Sequence, residues 1–65
     1  MGAGYYDVLT LLFKRYECTF VKQGKGSHEI WNSPITNNNF TVPVTVASRH
    51  TANGILKQAG IPEKV

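Results

Sequence analysis

Apolar side chains recur near the start of the chain at Tyr5, Val8, Leu9, Leu12, Phe13 and Tyr16. That i, i+3, i+4, i+7, i+8, i+11 spacing is one buried stripe of a helix, predicted over Gly4–Tyr16. Lys14 and Arg15 fall in its last turn, where cations suit the helix dipole. The pattern then changes. Glu17–Gln23, E-C-T-F-V-K-Q, is short and rich in β-formers and predicts a strand. Gly24-Lys25-Gly26 is a turn signal, and Ser27–Asn32 continues as a second strand, giving a hairpin. Turn-forming residues fill Ser33–Asn39, and Phe40–Val46 reads as a third strand. Pro43 has no N–H to donate, so that strand should lie at a sheet edge or end early. Thr51 is the expected cap of a closing helix over Ala52–Ala59, with Ile55, Leu56 and Ala59 facing inward. Gly60 suits the C′ position, with Leu56 reaching Ile61 across the turn, and Pro62 blocks continuation. Gly54 within that helix costs about 1 kcal/mol relative to Ala.

The predicted fold is α+β, ordered α-β-β-β-α, a three-stranded antiparallel sheet with two helices on one face. The other face is then open, and strand parity decides what stands on it. Ser27, Glu29 and Trp31 share one side of the second strand; His28, Ile30 and Asn32 share the other. An indole offers more surface to bury than an isoleucine, so Trp31 is expected under the helices and His28 on the open face.

The chain has 65 residues, enough for one domain spanning 1–65, and a domain this small buries only about 60% of its unfolded surface. With 42% hydrophobic and 17% charged residues, disorder is not expected. The formal charge is +3 and the sequence pI about 9.3, which suits a polyanionic partner, either nucleic acid or an acidic protein. One cysteine, Cys18, excludes an internal disulfide, and no Cys/His spacing fits zinc. Lacking a signal-peptide pattern and a membrane-spanning run, the chain is expected to work in the cytoplasm, away from membranes.

His28 is the strongest candidate for chemistry, because an imidazole on an exposed face exchanges a proton near neutral pH. Lys22, Lys25 and Ser27, with the backbone N–H groups of Gly24 and Gly26, could grip a phosphate around it. Arg49 could add another phosphate contact, whereas His50, placed just before Thr51, reads as a structural or solvent residue. A base with a phosphate grip is the minimum needed to cleave RNA through its own 2′-hydroxyl. A surface histidine without a chemical role is an equally ordinary reading. Ser27 lacks an acid to orient His28 in a Ser-His-acid arrangement, since Glu29 projects to the opposite face. Trp31, Tyr5, Tyr6 and Phe40 read as core or rim rather than base-stacking groups, and Cys18 as a small packing residue.

Three segments, Gly26-Ser27-His28, Thr41-Val42-Pro43 and Ile55-Leu56-Lys57-Gln58-Ala59-Gly60, occur in an order and at a spacing that resemble the HicA toxins. The resemblance spans essentially the whole chain. It implies a double-stranded-RNA-binding-domain-like fold, an mRNA interferase activity without a metal or other cofactor, and neutralisation by a HicB-like antitoxin in a hetero-oligomeric complex. It also implies that His28 is the residue required for cleavage. Where the family often carries a histidine soon after the T-V-P proline, this chain has Val44 and Thr45. Two other functions fit the same surface: a non-catalytic basic RNA-binding module, and a protein-interaction domain using its open sheet face or edge.

Overall fold

The computed structural model describes residues 4–65, in the order α1 (Tyr6–Arg15), β1 (Thr19–Gln23), β2 (His28–Ser33), β3 (Asn38–Pro43) and α2 (Arg49–Gln58). The strands form one antiparallel sheet in the order β1-β2-β3. Buried strand residues all have one parity: Trp31 and Ser33 on β2, Phe40 and Val42 on β3. Against them pack Leu9 and Phe13 from α1 and Ala52, Ile55 and Leu56 from α2. Phe13 touches both Trp31 and Phe40, with ring centroids 5.1 and 5.2 Å apart. Both helices therefore cover one face of the sheet, and the α+β expectation holds.

The indole settles the register. Trp31 is buried at 6% exposure, while Ile30 is only partly covered on the other face. A one-residue slip would carry Trp31 into water and move every side chain of β2 to the wrong side. Val21 is a bulge between Phe20 and Lys22, which restores alternation so that Lys22 pairs with Ile30 on the open face.

Pro43 lies on an edge strand and is also its last residue. It pairs with His28. Both backbone groups of His28 are turned toward the hairpin: its N–H donates to Lys25 O at 3.1 Å and its carbonyl accepts from Gly24 at 2.8 Å. The pair is thus a non-hydrogen-bonded one, and the missing N–H of Pro43 leaves nothing on β2 unsatisfied.

Both helices end in the same backbone motif. Cys18 N–H donates to Phe13 O at 2.8 Å and Glu17 N–H to Lys14 O at 3.1 Å; Ile61 donates to Leu56 O at 3.0 Å and Gly60 to Lys57 O at 3.1 Å. These are paired Schellman bonds, which put the C′ residue in the left-handed region. Gly60 occupies it at φ 75° without a Cβ penalty, but Glu17 occupies it at φ 66°. The predicted first strand therefore starts two residues late, at Thr19, because Glu17 closes the helix instead. Cys18 is buried between the two elements rather than lying on the strand, and burial pushes its thiol pKa up, partly offset by a hydrogen bond with Ser33.

Three other expectations are corrected. Val8 is exposed, since the covered arc of α1 is narrower than the apolar stripe. Ser33 belongs to β2 rather than the turn: fully buried, it donates to Ala59 O at 2.6 Å and accepts from Ile35 N–H at 3.2 Å. Helix α2 starts at Arg49, two residues before Thr51. Ser48 holds an extended backbone and its hydroxyl accepts from Thr51 N–H at 3.4 Å, so Thr51 supplies the donor and Ser48 the cap. Arg49 and His50 are thus in the first turn of α2. Gly54 has only open space where a Cβ would stand, so packing does not demand a glycine there.

Glu17→Gly removes an L-residue from the left-handed region and a carboxylate from the C-terminal end of α1. It is expected to stabilise the chain by about 0.5–1 kcal/mol after the extra unfolded-state entropy of glycine is subtracted. Urea unfolding of the two proteins checks this, and a lower midpoint for the glycine variant would contradict the account.

Candidate active site

The β1–β2 connection places His28 at the first position of β2, exposed, on the face away from the helices. Gly26 has φ 60° and Ser27 a negative φ, so Lys25–His28 forms a tight turn of type II′ closed by the 3.1 Å bond from His28 N–H to Lys25 O. Only glycine fits the first central position of that turn without strain.

The turn fixes the imidazole as well as the backbone. Nδ1 of His28 lies 3.2 Å from the carbonyl oxygen of Lys25. A carbonyl only accepts, so in the neutral ring the proton belongs on Nδ1, and Nε2 is left as an acceptor toward solvent. Gln23, which sequence reading passed over, braces this arrangement. Its side-chain amide donates to Gly26 O at 3.2 Å and to His28 O at 3.0 Å. Both partners are acceptors, which fixes which end of the amide is nitrogen. The signal available in the sequence was only a long polar side chain at a hairpin end, and many residues meet that description.

Lys22, Lys25, Gly26 and Ser27 are all exposed on the same hairpin as His28. Lys22 pairs with Ile30 and so stands diagonally across from His28, about 7–8 Å away by strand geometry. Gly24 is different: its N–H is taken by His28 O, so the phosphate donor expected from it is not available. Arg49 opens α2 in the helical layer, away from the sheet face that carries His28. Pro43, directly opposite His28, brings the G-S-H and T-V-P segments together as neighbours on β2 and β3.

None of the four carboxylates lies on the open face. Glu29 projects under the helices, where it accepts from the Tyr6 hydroxyl at 2.7 Å and from Trp31 Nε1 at 3.0 Å. The bond to Glu29 is the main reason the Tyr6 pKa rises from 10.0 to about 12, with burial and the charges of Glu29 and Asp7 adding to it. Glu63 in the tail accepts from Tyr16 at 2.8 Å, which likewise raises that tyrosine's pKa. Asp7 and Glu17 belong to α1 and its end. The face that bears His28 therefore carries positive charge from Lys22 with no carboxylate on that face to neutralise it.

A family model described as HicA toxin of bacterial toxin-antitoxin matches residues 6–61. The chain belongs to the HicA toxin family. No individual curated protein and no solved structure matches alongside it. As a HicA toxin it is one half of a toxin–antitoxin pairing, and the matched span runs from the first residue of α1 through the Schellman turn after α2. No helix among the described residues is long and apolar enough to cross a membrane. Among the same residues no group of three or more His, Cys, Asp or Glu side chains is placed to hold a metal ion. A cavity of about 660 Å³ does exist, bounded by His50, Gly54, Lys57, Pro62 and Lys64 among others, but it lies between α2 and the tail and includes no hairpin residue. The candidate residues His28 and Lys22 stand on the open sheet face instead.

The Tyr6–Glu29 bond has a pH signature. Tyr6 has a higher pKa folded than unfolded, so its stabilisation is complete below pH 10 and is lost as pH rises through about 12. Tyr6→Phe is expected to cost about 1 kcal/mol at neutral pH, a charged-acceptor hydrogen bond discounted for partial exposure. Comparing urea midpoints of parent and variant across that alkaline window checks it. A gap that stayed constant from neutral pH upward would show that the hydroxyl does not act through Glu29.

Proposed function

We propose that this HicA toxin is an endoribonuclease that cleaves mRNA using His28 as its acid–base group. The observation that carries the reading is the exposed imidazole on the open face with its Nδ1 facing Lys25 O, which leaves Nε2 as the ring's acceptor. Nε2 takes the proton from a ribose 2′-hydroxyl, whose oxygen attacks the adjacent phosphorus as the bond to the 5′-oxygen breaks. The products are a 2′,3′-cyclic phosphate and a 5′-hydroxyl, with the leaving oxygen taking a proton from the imidazolium or from water. The Lys25 carbonyl steadies the imidazolium while Nε2 holds the proton.

Lys22 and Lys25 hold the flanking phosphates by charge, helped by the exposed turn at Gly26 and Ser27. Arg49, in the helical layer, serves as an outer contact for a longer strand. The reaction needs no metal or other cofactor, since the proton transfer and the charge neutralisation are both supplied by side chains. A HicB-like antitoxin in the cytoplasm silences the toxin within a hetero-oligomeric complex.

With EDTA present, the parent protein is expected to cleave single-stranded RNA, and His28→Ala to lose at least about a hundredfold in rate with its fold intact. Expression of the parent should arrest growth and the variant should not. RNA binding without cleavage by the parent would replace this reading with that of a non-catalytic RNA-binding module. Separately, Lys22→Ala with Lys25→Ala should weaken RNA binding and flatten its salt dependence by about two phosphate contacts, measured as the slope of log affinity against log salt.

A further inference from the structure

We infer that Gln23 is a positioning residue for the proposed reaction: it holds the hairpin turn in the one shape that keeps His28 in its base-competent tautomer. The inference rests on the reading of His28 as the acid–base group.

The geometry forms a closed set of contacts. The carbonyls on either side of Ser27, those of Gly26 and His28, both accept from the same Gln23 amide, at 3.2 and 3.0 Å. The His28 carbonyl is held a second time by Gly24 N–H at 2.8 Å. These bonds fix both ends of the two-residue step that carries the ring. Lys25 O then receives the backbone N–H of His28 at 3.1 Å and faces its Nδ1 at 3.2 Å. The Nδ1 contact is at the long end of hydrogen-bonding range, so a small rotation of the turn would lose it. Without it the neutral ring is free to place its proton on Nε2, where it cannot accept one from a substrate hydroxyl.

Nothing else accounts for Gln23 in this role. It is exposed and pairs with Glu29 across the sheet, so no core packing depends on it. Its side chain reaches over the turn instead of extending into solvent, which orders a long side chain to make two bonds to backbone carbonyls. Exposed carbonyls could be satisfied by water at little cost, so the two bonds add shape more than stability.

The test is Gln23→Met, which keeps length and removes both donors, with Gln23→Asn as a second variant that keeps the amide but shortens its reach. Ring-nitrogen NMR shifts of the free protein report the His28 tautomer without any RNA. The parent should show the proton mainly on Nδ1, and both variants mainly on Nε2. In cleavage assays both should lose about five- to twentyfold in kcat, the size of one or two ordinary hydrogen bonds, with KM changed less than about twofold. Unchanged tautomer and unchanged kcat would overturn the inference. A shifted tautomer with parental kcat, or a rise in KM alone, would also overturn it. His28→Ala, run beside them, separates the two levels. If that variant still cleaves, the histidine reading fails, while the tautomer measurement still decides whether Gln23 positions the ring.

Discussion

Trp31 lies beneath the helices against Phe13, with Phe20 set edge-on to it at 5.9 Å. Phe40, its cross-strand partner, completes the aromatic group through Phe13. A domain of this size has little other apolar surface to spend, and an indole is its largest single contribution. Because strand side chains alternate, the direction of Trp31 also fixes the direction of every other residue of β2. Glu29 is drawn under with it, and His28 and Ile30 are turned out. The placement of the candidate site is thus a consequence of core packing rather than a separate arrangement.

Glu29 shows how far that constraint extends. A carboxylate on the covered face needs partners, and it has two donors, the Trp31 indole and the Tyr6 hydroxyl. The same side chain therefore ties α1 to β2 and anchors the indole's polar edge. It is the sequence neighbour of the histidine and the most natural candidate for an acid partner to it. The fold uses it elsewhere, and the histidine's Nδ1 meets a main-chain carbonyl instead. A carbonyl oxygen only accepts, so this partner orients the ring by accepting a hydrogen bond from Nδ1 and cannot itself act as an acid.

Most of this architecture could be read from the residues. The helical stripe, the Gly-Lys-Gly hairpin, the edge position of Pro43 and the burial of Trp31 each follow from a single strong local preference. The failures share a different cause. Thr51 and Ser48 are both good caps, and only the path of the chain after β3 decides between them. Glu17 at φ 66° breaks the rule that glycine marks a helix end, so the boundary could not be seen where it fell. Ser33 looked like a turn residue because its burial depends on a carbonyl 26 residues away, at Ala59. Of the site, His28 and its flanking lysines were visible as residue types; the Gln23 brace was not. A glutamine that holds two carbonyls of a turn has no pattern in sequence, since its partners are backbone.

The open face also bears on what kind of molecule the toxin can meet. Besides His28, it presents Thr19, Lys22, Ile30, Asn32, Asn39, Thr41 and Pro43, in rows set by the strand pairing. Asn32 and Asn39 bond to each other across it at 3.0 Å. Apart from Ile30 these side chains are polar or small, and they make a platform rather than a cleft. A small ligand would find little to enclose it there, and the cavity that could enclose one lies between α2 and the tail. An extended polymer has the opposite requirement: it gains from many shallow contacts along its length and needs one reactive group at a fixed height above the surface. A platform with a histidine held at its rim by a rigid turn meets that requirement, and it does so because the aromatic residues were all needed on the other side.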